Sequence, residues 1–224
     1  MGVDELRDIY AEQAPQFDRW EFLDRLTIGR YRRRLFSRAG GRVLDVACGT
    51  GVNFAYLSED ADLVGVDLSP EMAARARARA AELGLDAAVS EGDAADLAFE
   101  NSCFDTVISS LSTCTFPDPV ATLREMDRVC APDGRILLLE HGRSSVDPVA
   151  RFQDWWAPRH FDKHGCRWNQ EPADLVAEAG LEPVEVRRAL LGVLTSMVVR
   201  PTPSDASAMA ESGTSPRGMQ GRGP

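Results

Sequence analysis

Lysine is almost missing from this chain: Lys163 stands alone against 24 arginines in 224 residues. Acidic side chains outnumber basic ones, 35 to 25, for a formal net charge of -10 and a pI near 4.8. A surface of that sign repels phosphate, so no nucleic-acid partner is expected. An acidic, lysine-poor surface suits a high-salt cytoplasm, and a GC-rich genome favouring arginine codons explains the same bias. Long apolar runs are absent as well. No stretch reaches the ~18 residues of a membrane span, and no signal-peptide pattern is present, so no integral membrane segment is expected. The five cysteines, at 48, 103, 114, 130 and 166, are scattered and odd in number. That usage fits reduced thiols in a cytoplasmic protein rather than a disulfide framework. Cys166 lies near His160 and His164, yet no pair has zinc-finger spacing, and no metal is expected.

What is present is enough chain for one domain with a substantial core, taken as residues 1–200. Residues 201–224 are rich in Gly, Pro, Ser, Thr, Ala and Met without apolar period, and are expected to form a disordered tail. Val3, Leu6, Ile9 and Tyr10 predict a helix over 3–14 that Pro15 ends. A second helix is predicted over 26–38 with its arginines outward, making 1–40 an N-terminal helical lid. Beyond Gly40-Gly41, strands at 42–47, 62–67, 85–90, 104–111 and 135–140 alternate with helices at 51–58, 69–83 and 118–130. Such alternation marks a parallel sheet with right-handed crossovers. Residues 141–169 break the pattern, holding three of the four tryptophans and all three histidines, and read as a substrate-side insertion. A helix at 171–179 precedes two strands, 182–190 and 193–200, separated only by Leu191 and Gly192. So short a connection forces the last strand antiparallel. The fold class is therefore α/β: a doubly wound, mostly parallel, seven-stranded sheet with an antiparallel last strand.

The organising stretch is Val43-Leu44-Asp45-Val46-Ala47-Cys48-Gly49-Thr50-Gly51, a short β-branched strand running into a glycine turn. Gly49 and Gly51 let the backbone turn tightly and approach a ligand, while the following N–H groups point at whatever sits above. Asp67 ends the second strand, where a carboxylate can accept both hydroxyls of a ribose. Gly92-Asp93-Ala94 follows the third, and Asp93 can accept from an exocyclic amine. A dinucleotide fingerprint would want a small residue where Phe54 stands. Cys48 reads as a small buried filler.

This ordered set resembles the class I S-adenosylmethionine-dependent methyltransferases, with their Rossmann-like fold, over most of residues 10–200. The resemblance implies S-adenosyl-L-methionine as cofactor. Asp45, Ala47, Gly49, Gly51 and Ser110 would meet its methionine end, and Asp67 its ribose. Leu68 and Met72 would pack beside the adenine, with Asp93 and the Ala94 N–H at its edge. Outside the core, Tyr10-x-x-x-Ala14-x-x-Phe17-Asp18 is similar to the amino-terminal signature of the ubiquinone/menaquinone methyltransferases, with Phe17 replacing the usual tyrosine. The segments Cys114 to Pro119, Glu140 to Ser144 and Gly165 to Asn169 resemble bacterial phosphatidylethanolamine N-methyltransferases and the methyltransferase-like 7 thiol methyltransferases. These likenesses imply a small-molecule or lipid-like acceptor: quinone-type, phospholipid amine or thiol. Tyr10, Phe17, Cys114, Arg143 and Trp156 are the expected acceptor contacts, with Trp155 and Trp168 as further candidates for an apolar pocket. His141, just past the fifth strand, is the candidate general base. Two alternatives stand beside this reading: a non-catalytic S-adenosylmethionine-binding regulatory protein, and a nucleotide-dependent oxidoreductase, against which Phe54 and the terminal hairpin both count.

Overall fold

Short apolar β-branched runs build the sheet, and cap residues delimit the helices around it. The computed structural model describes residues 1–203, and of residues 15–18, 20 and 21 the backbone alone. The chain runs α1 (Val3–Thr27), α2 (Gly29–Phe36), β1 (Arg42–Val46), β2 (Asp62–Asp67), α3 (Pro70–Leu83), β3 (Ala87–Glu91) and β4 (Phe104–Ser110). It continues through α4 (Pro119–Val129), β5 (Cys130–His141), α5 (Asp147–His164), α6 (Pro172–Glu178), β6 (Glu182–Ala189) and β7 (Leu194–Arg200). The seven strands form one sheet in the order β3-β2-β1-β4-β5-β7-β6. All neighbours from β3 to β5 pair parallel, and β7 runs antiparallel between β5 and β6, as the short reversal demands.

Alternation along each strand divides the core into two layers. Leu44, Val107, Ile136 and Leu138 face α4 and α6, where Leu123, Met126 and Val176 pack. Val43, Ile108, Leu137 and Leu139 face α2 and α3 through Leu35, Phe36, Ala76 and Ala80. Each of these strand side chains is fully buried, contributing roughly 1.5–3 kcal/mol apiece to folding. The helix α3 is delimited as its sequence predicts. Ser69 caps it by accepting from the Met72 N–H at 3.3 Å, Pro70 opens it, and Gly84 closes it in the left-handed region at φ 69°.

Several expected boundaries move. Pro15 does not end the first helix, because α1 continues to Thr27. The helix expected at 51–58 is a single 3-10 turn, Val52–Tyr56, entered from a left-handed Gly51 and left through an extended Leu57. Residues 141–169 hold an 18-residue helix, α5, that the sequence hides, since it contains Pro158 and buries only Ala150 and Gln153. No apolar stripe exists there to be read. The domain also extends past residue 200: Pro201 is buried, and the Thr202 N–H donates to Asp127 at 2.8 Å. The rest of the expected tail, 204–224, lies outside the described residues. No helix among the described residues is long and apolar enough to cross a membrane.

Candidate functional site

The strand order reverses direction between β1 and β4, and open sheets of this kind bind ligands at that point, beyond the carboxyl ends of the strands. A cavity of about 340 Å³ lies there. Its floor is the β1 turn, where Ala47 and Gly49 both take left-handed backbone (φ 54° and 57°). A Cβ placed on Gly49 would meet nothing within 4 Å, so this glycine faces open cavity. Asp67 stands beside it at the end of β2, only 8% exposed. One carboxylate oxygen accepts from the Gly49 N–H at 2.8 Å and the other from the Ser69 N–H at 2.9 Å. Burial raises its pKa, and these main-chain donors oppose the rise. Each oxygen keeps a lone pair for a further donor.

Leu68 and Met72 form the adjoining apolar wall, and Asp93 and Ala94 close the far side. Asp93 also holds its own turn by accepting from the Ala95 N–H at 2.9 Å. Ser110, at the end of β4, completes the floor. The roof is α1: Val3, Leu6, Arg7 and Tyr10 fall on one helical face and all line the cavity. Arg7 pins that roof, donating to the Leu68 carbonyl at 3.3 Å and approaching Glu91 at 3.6 Å. Burial pushes the Tyr10 phenol up, which keeps it neutral. A buried carboxylate beside a side-chain-free floor and an apolar wall fits a nucleoside of the kind the sequence implies.

Arg32 is the site residue that the sequence reading missed. It is 4% exposed and lines the cavity, whereas its neighbours Arg30, Arg33 and Arg34 are exposed as expected. Two of its guanidinium nitrogens donate to Asp24 at 3.1 and 3.2 Å, and the third donates to Asn53 and to Ser110 at 2.5 Å each. Asn53 in turn donates to both oxygens of Asp45 at 3.1 and 3.0 Å. The signal was available: Ile28, Arg32, Leu35 and Phe36 share one face of α2, and the other three are buried or half-buried.

Two expected cofactor residues lie behind the cavity rather than in its lining. Asp45 is fully buried beneath Asn53, and burial lifts its pKa from 3.8 to about 7 against the opposing pull of Asn53 and Arg32. Gly51, at φ 76°, packs against the Phe54 ring and the Ala76 backbone. Ala47, Gly49, Asp67, Leu68, Met72, Asp93, Ala94 and Ser110 all line the cavity.

The expected acceptor contacts divide more sharply. Tyr10 is in the lining, and the Phe17 side chain lies outside the described residues. Arg143 is half-buried, paired with Asp154 at 2.9 Å, and does not line the cavity. Trp156 is 37% exposed on α5, under the Arg159 guanidinium, and Trp155 is 62% exposed. Cys114 and His141 are brought together with Cys166 instead. The Cys114 and Cys166 sulfurs lie in hydrogen-bond contact at 3.3 Å, and His141 Nε2 lies 3.4 Å from Cys166 Sγ. These contacts, Cys114 first, hold the Cys166 thiol well below its usual range. His141 thus faces sulfur and does not line the cavity. The described lining contains no histidine.

Comparison with known proteins accords with this geometry. A family model described as a methyltransferase domain matches residues 43–134, from β1 into the turn before the inner half of β5. The mitochondrial methyltransferase OMS1 of Saccharomyces cerevisiae is 30% identical over 86% of this chain and 45% of its own. A phosphatidylethanolamine N-methyltransferase of Cereibacter sphaeroides is 35% identical over 51% of this chain and 57% of its own. A demethylmenaquinone methyltransferase of Thermus thermophilus is 38% identical over 59% of this chain and 64% of its own. The chain therefore spans about half to two thirds of the length of these curated relatives. Among solved structures, an S-adenosylmethionine-dependent methyltransferase of Thermotoga maritima superposes with a TM-score of 0.69 at 20% identity, covering 88% of this chain and all of that one.

Proposed function

We propose that this chain, which matches a methyltransferase domain model over residues 43–134, is an S-adenosylmethionine-dependent methyltransferase that transfers the methyl group to a small-molecule or lipid-like acceptor. Quinone-type and phospholipid amine acceptors come first, and small thiols behind them. One observation carries the proposal: a single cavity joins a nucleoside-competent end, Asp67 and Gly49, to an apolar end formed by Leu6, Leu111, Phe116 and Pro117. The names of the relatives, one acting on demethylmenaquinone and one on phosphatidylethanolamine, support the same acceptor chemistry.

When bound, S-adenosylmethionine supplies a methyl carbon already activated on a sulfonium. The residues of the chain then have alignment and exclusion of water as their main work. Asp67 would grip the ribose, with the main-chain bonds from Gly49 and Ser69 fixing its orientation. Arg32, locked by Asp24, Asn53 and Ser110, presents a fixed positive charge to the floor. The α1 roof covers both ends of the cavity. Deprotonation of the acceptor, where one is needed, is left to solvent or to the acceptor itself. A cytoplasmic location, in keeping with five free thiols, belongs to the same proposal.

Isothermal titration with the cofactor and with its demethylated product tests the binding half, and a flat trace from folded protein ends it. Metabolite and lipid extracts compared with and without the protein test the transfer half. The expected result is a methyl mass gain on an apolar species. Tight cofactor binding with no methylated product in any extract would instead favour a regulatory protein.

A further inference from the structure

The three groups that the fold gathers beneath the cavity, Cys114, His141 and Cys166, come from three distant parts of the chain. Cys114 sits in the loop after β4, His141 ends β5, and Cys166 follows the last turn of α5. Their ligand atoms all lie within 4.8 Å of one another, with both cysteines buried. We propose that Cys114, Cys166 and His141 form a zinc site that ties the end of α5 to the sheet.

The separations support this set. Zinc bonds of ~2.3 Å to sulfur and ~2.0 Å to nitrogen at tetrahedral angles place two sulfurs about 3.8 Å apart and sulfur about 3.5 Å from nitrogen. The Cys114–Cys166 and Cys166–His141 distances are 3.3 and 3.4 Å, so these two separations need change only by about half an ångström or less. A disulfide would require about 2.05 Å and would make no use of the imidazole. The outer ring of contacts is in place as well. The His141 ring hydrogen-bonds the Trp168 main chain while Nε2 faces the sulfur. Metal-ligating histidines are held in this manner, with the second ring nitrogen committed to a carbonyl. Two sulfurs and one imidazole nitrogen select zinc over harder cations, and the fourth tetrahedral position is left to solvent. Each thiol gives its proton to solvent as its bond to the metal forms.

The fold shows why such a tie is useful. Of the 18 residues of α5, only Ala150 and Gln153 are buried, so packing alone holds it weakly. The same spot carries the roof: the Tyr10 hydroxyl reaches the His164 carbonyl at 3.5 Å, and a Cβ on Gly165 would strike Leu6. Thr115 and Phe116, next to Cys114, line the cavity.

The test uses the full chain purified without chelator or affinity metal and measures metal content by mass spectrometry, then replaces the metal with Co²⁺. One zinc per chain is expected. The cobalt form should show tetrahedral d–d bands with thiolate charge transfer. Cys166→Ser should lose both. Chelation of the unmodified protein should expose the α5 segment to protease while the sheet stays protected, a readout that does not depend on any variant folding. Substoichiometric metal with no thiolate band in reduced, folded protein would overturn the proposal. So would full cobalt binding by Cys114→Ser/Cys166→Ser, or a native Cys114–Cys166 disulfide whose reduction yields no metal affinity. None of these readouts requires methyl transfer, so the metal proposal and the functional one fail separately.

Discussion

Two glycines in one turn should fail in opposite ways when each is replaced by alanine. Both Gly49 and Gly51 take left-handed backbone, at φ 57° and 76°, which costs an alanine about 1–2 kcal/mol. A Cβ on Gly51 would lie 2.7 Å from the Phe54 ring and 3.2 Å from the Ala76 backbone. Overpacking of that kind adds about 1–3 kcal/mol. Gly51→Ala should therefore lose about 2–5 kcal/mol, a large part of the ~5–15 kcal/mol that holds a domain together. At roughly 2–4 °C per kcal/mol the melting point should fall by about 5–20 °C. A Cβ on Gly49 meets no atom within 4 Å, so Gly49→Ala should cost only the ~1–2 kcal/mol of backbone strain. Its methyl group instead stands in the cavity where the cofactor would rest, and affinity should fall by about tenfold or more, ~1.4 kcal/mol. Denaturant unfolding and cofactor titration on both variants separate the two effects. Wild-type affinity in Gly49→Ala would refute a ligand over this turn. Unchanged stability in Gly51→Ala would refute the packing argument.

Other perturbations follow from the carboxylates and the buried arginine. Asp67→Asn keeps the shape but puts an amide donor against a main-chain N–H, and should weaken cofactor binding by about 10- to 100-fold, as loss of charged hydrogen bonds does; unchanged affinity by titration would sink the ribose assignment. Asp45, raised by burial from 3.8 to about 7 in the fold, stabilises the native state in its protonated form. Its contribution is fully present below about pH 4 and lost as pH rises through about 7, ~4 kcal/mol at full extent, and Asp45→Asn should flatten that slope in unfolding curves of the ligand-free protein. Arg32→Met strands Asp24 and removes donors from Asn53 and Ser110, and should cost about 3 kcal/mol in chemical denaturation together with most of the cofactor affinity. Wild-type affinity in that variant would place Arg32 outside the cofactor's reach.

Features written in local spacing were readable, and features made by chain-distant contact were not. The ends of β2 and α3 follow from Val64 and Val66, Ser69-Pro70 and Gly84, whose effects act within a turn of the chain, and the structure places those elements at 62–67 and 70–83. The antiparallel β7 follows from how few residues separate it from β6. By contrast, Gly49 and Gly51 look alike in sequence, and only the position of Phe54 beneath one of them decides which is open to a ligand. Arg32 reads as one of a run of surface cations until Asp24, Asn53 and Ser110 converge on it from three elements. The same holds for Cys166. Sequence proximity pointed to His160 and His164, while the sheet supplied Cys114 and His141 from 52 and 25 residues away. Helix α5 was hidden for a related reason: it is held by its ends and by polar contacts such as the Gln153 bond to the Gly142 carbonyl, not by an apolar stripe. A segment whose anchors lie elsewhere in the chain carries no periodic signature of its own, and the residues that fasten it become visible only when the sheet has brought them together.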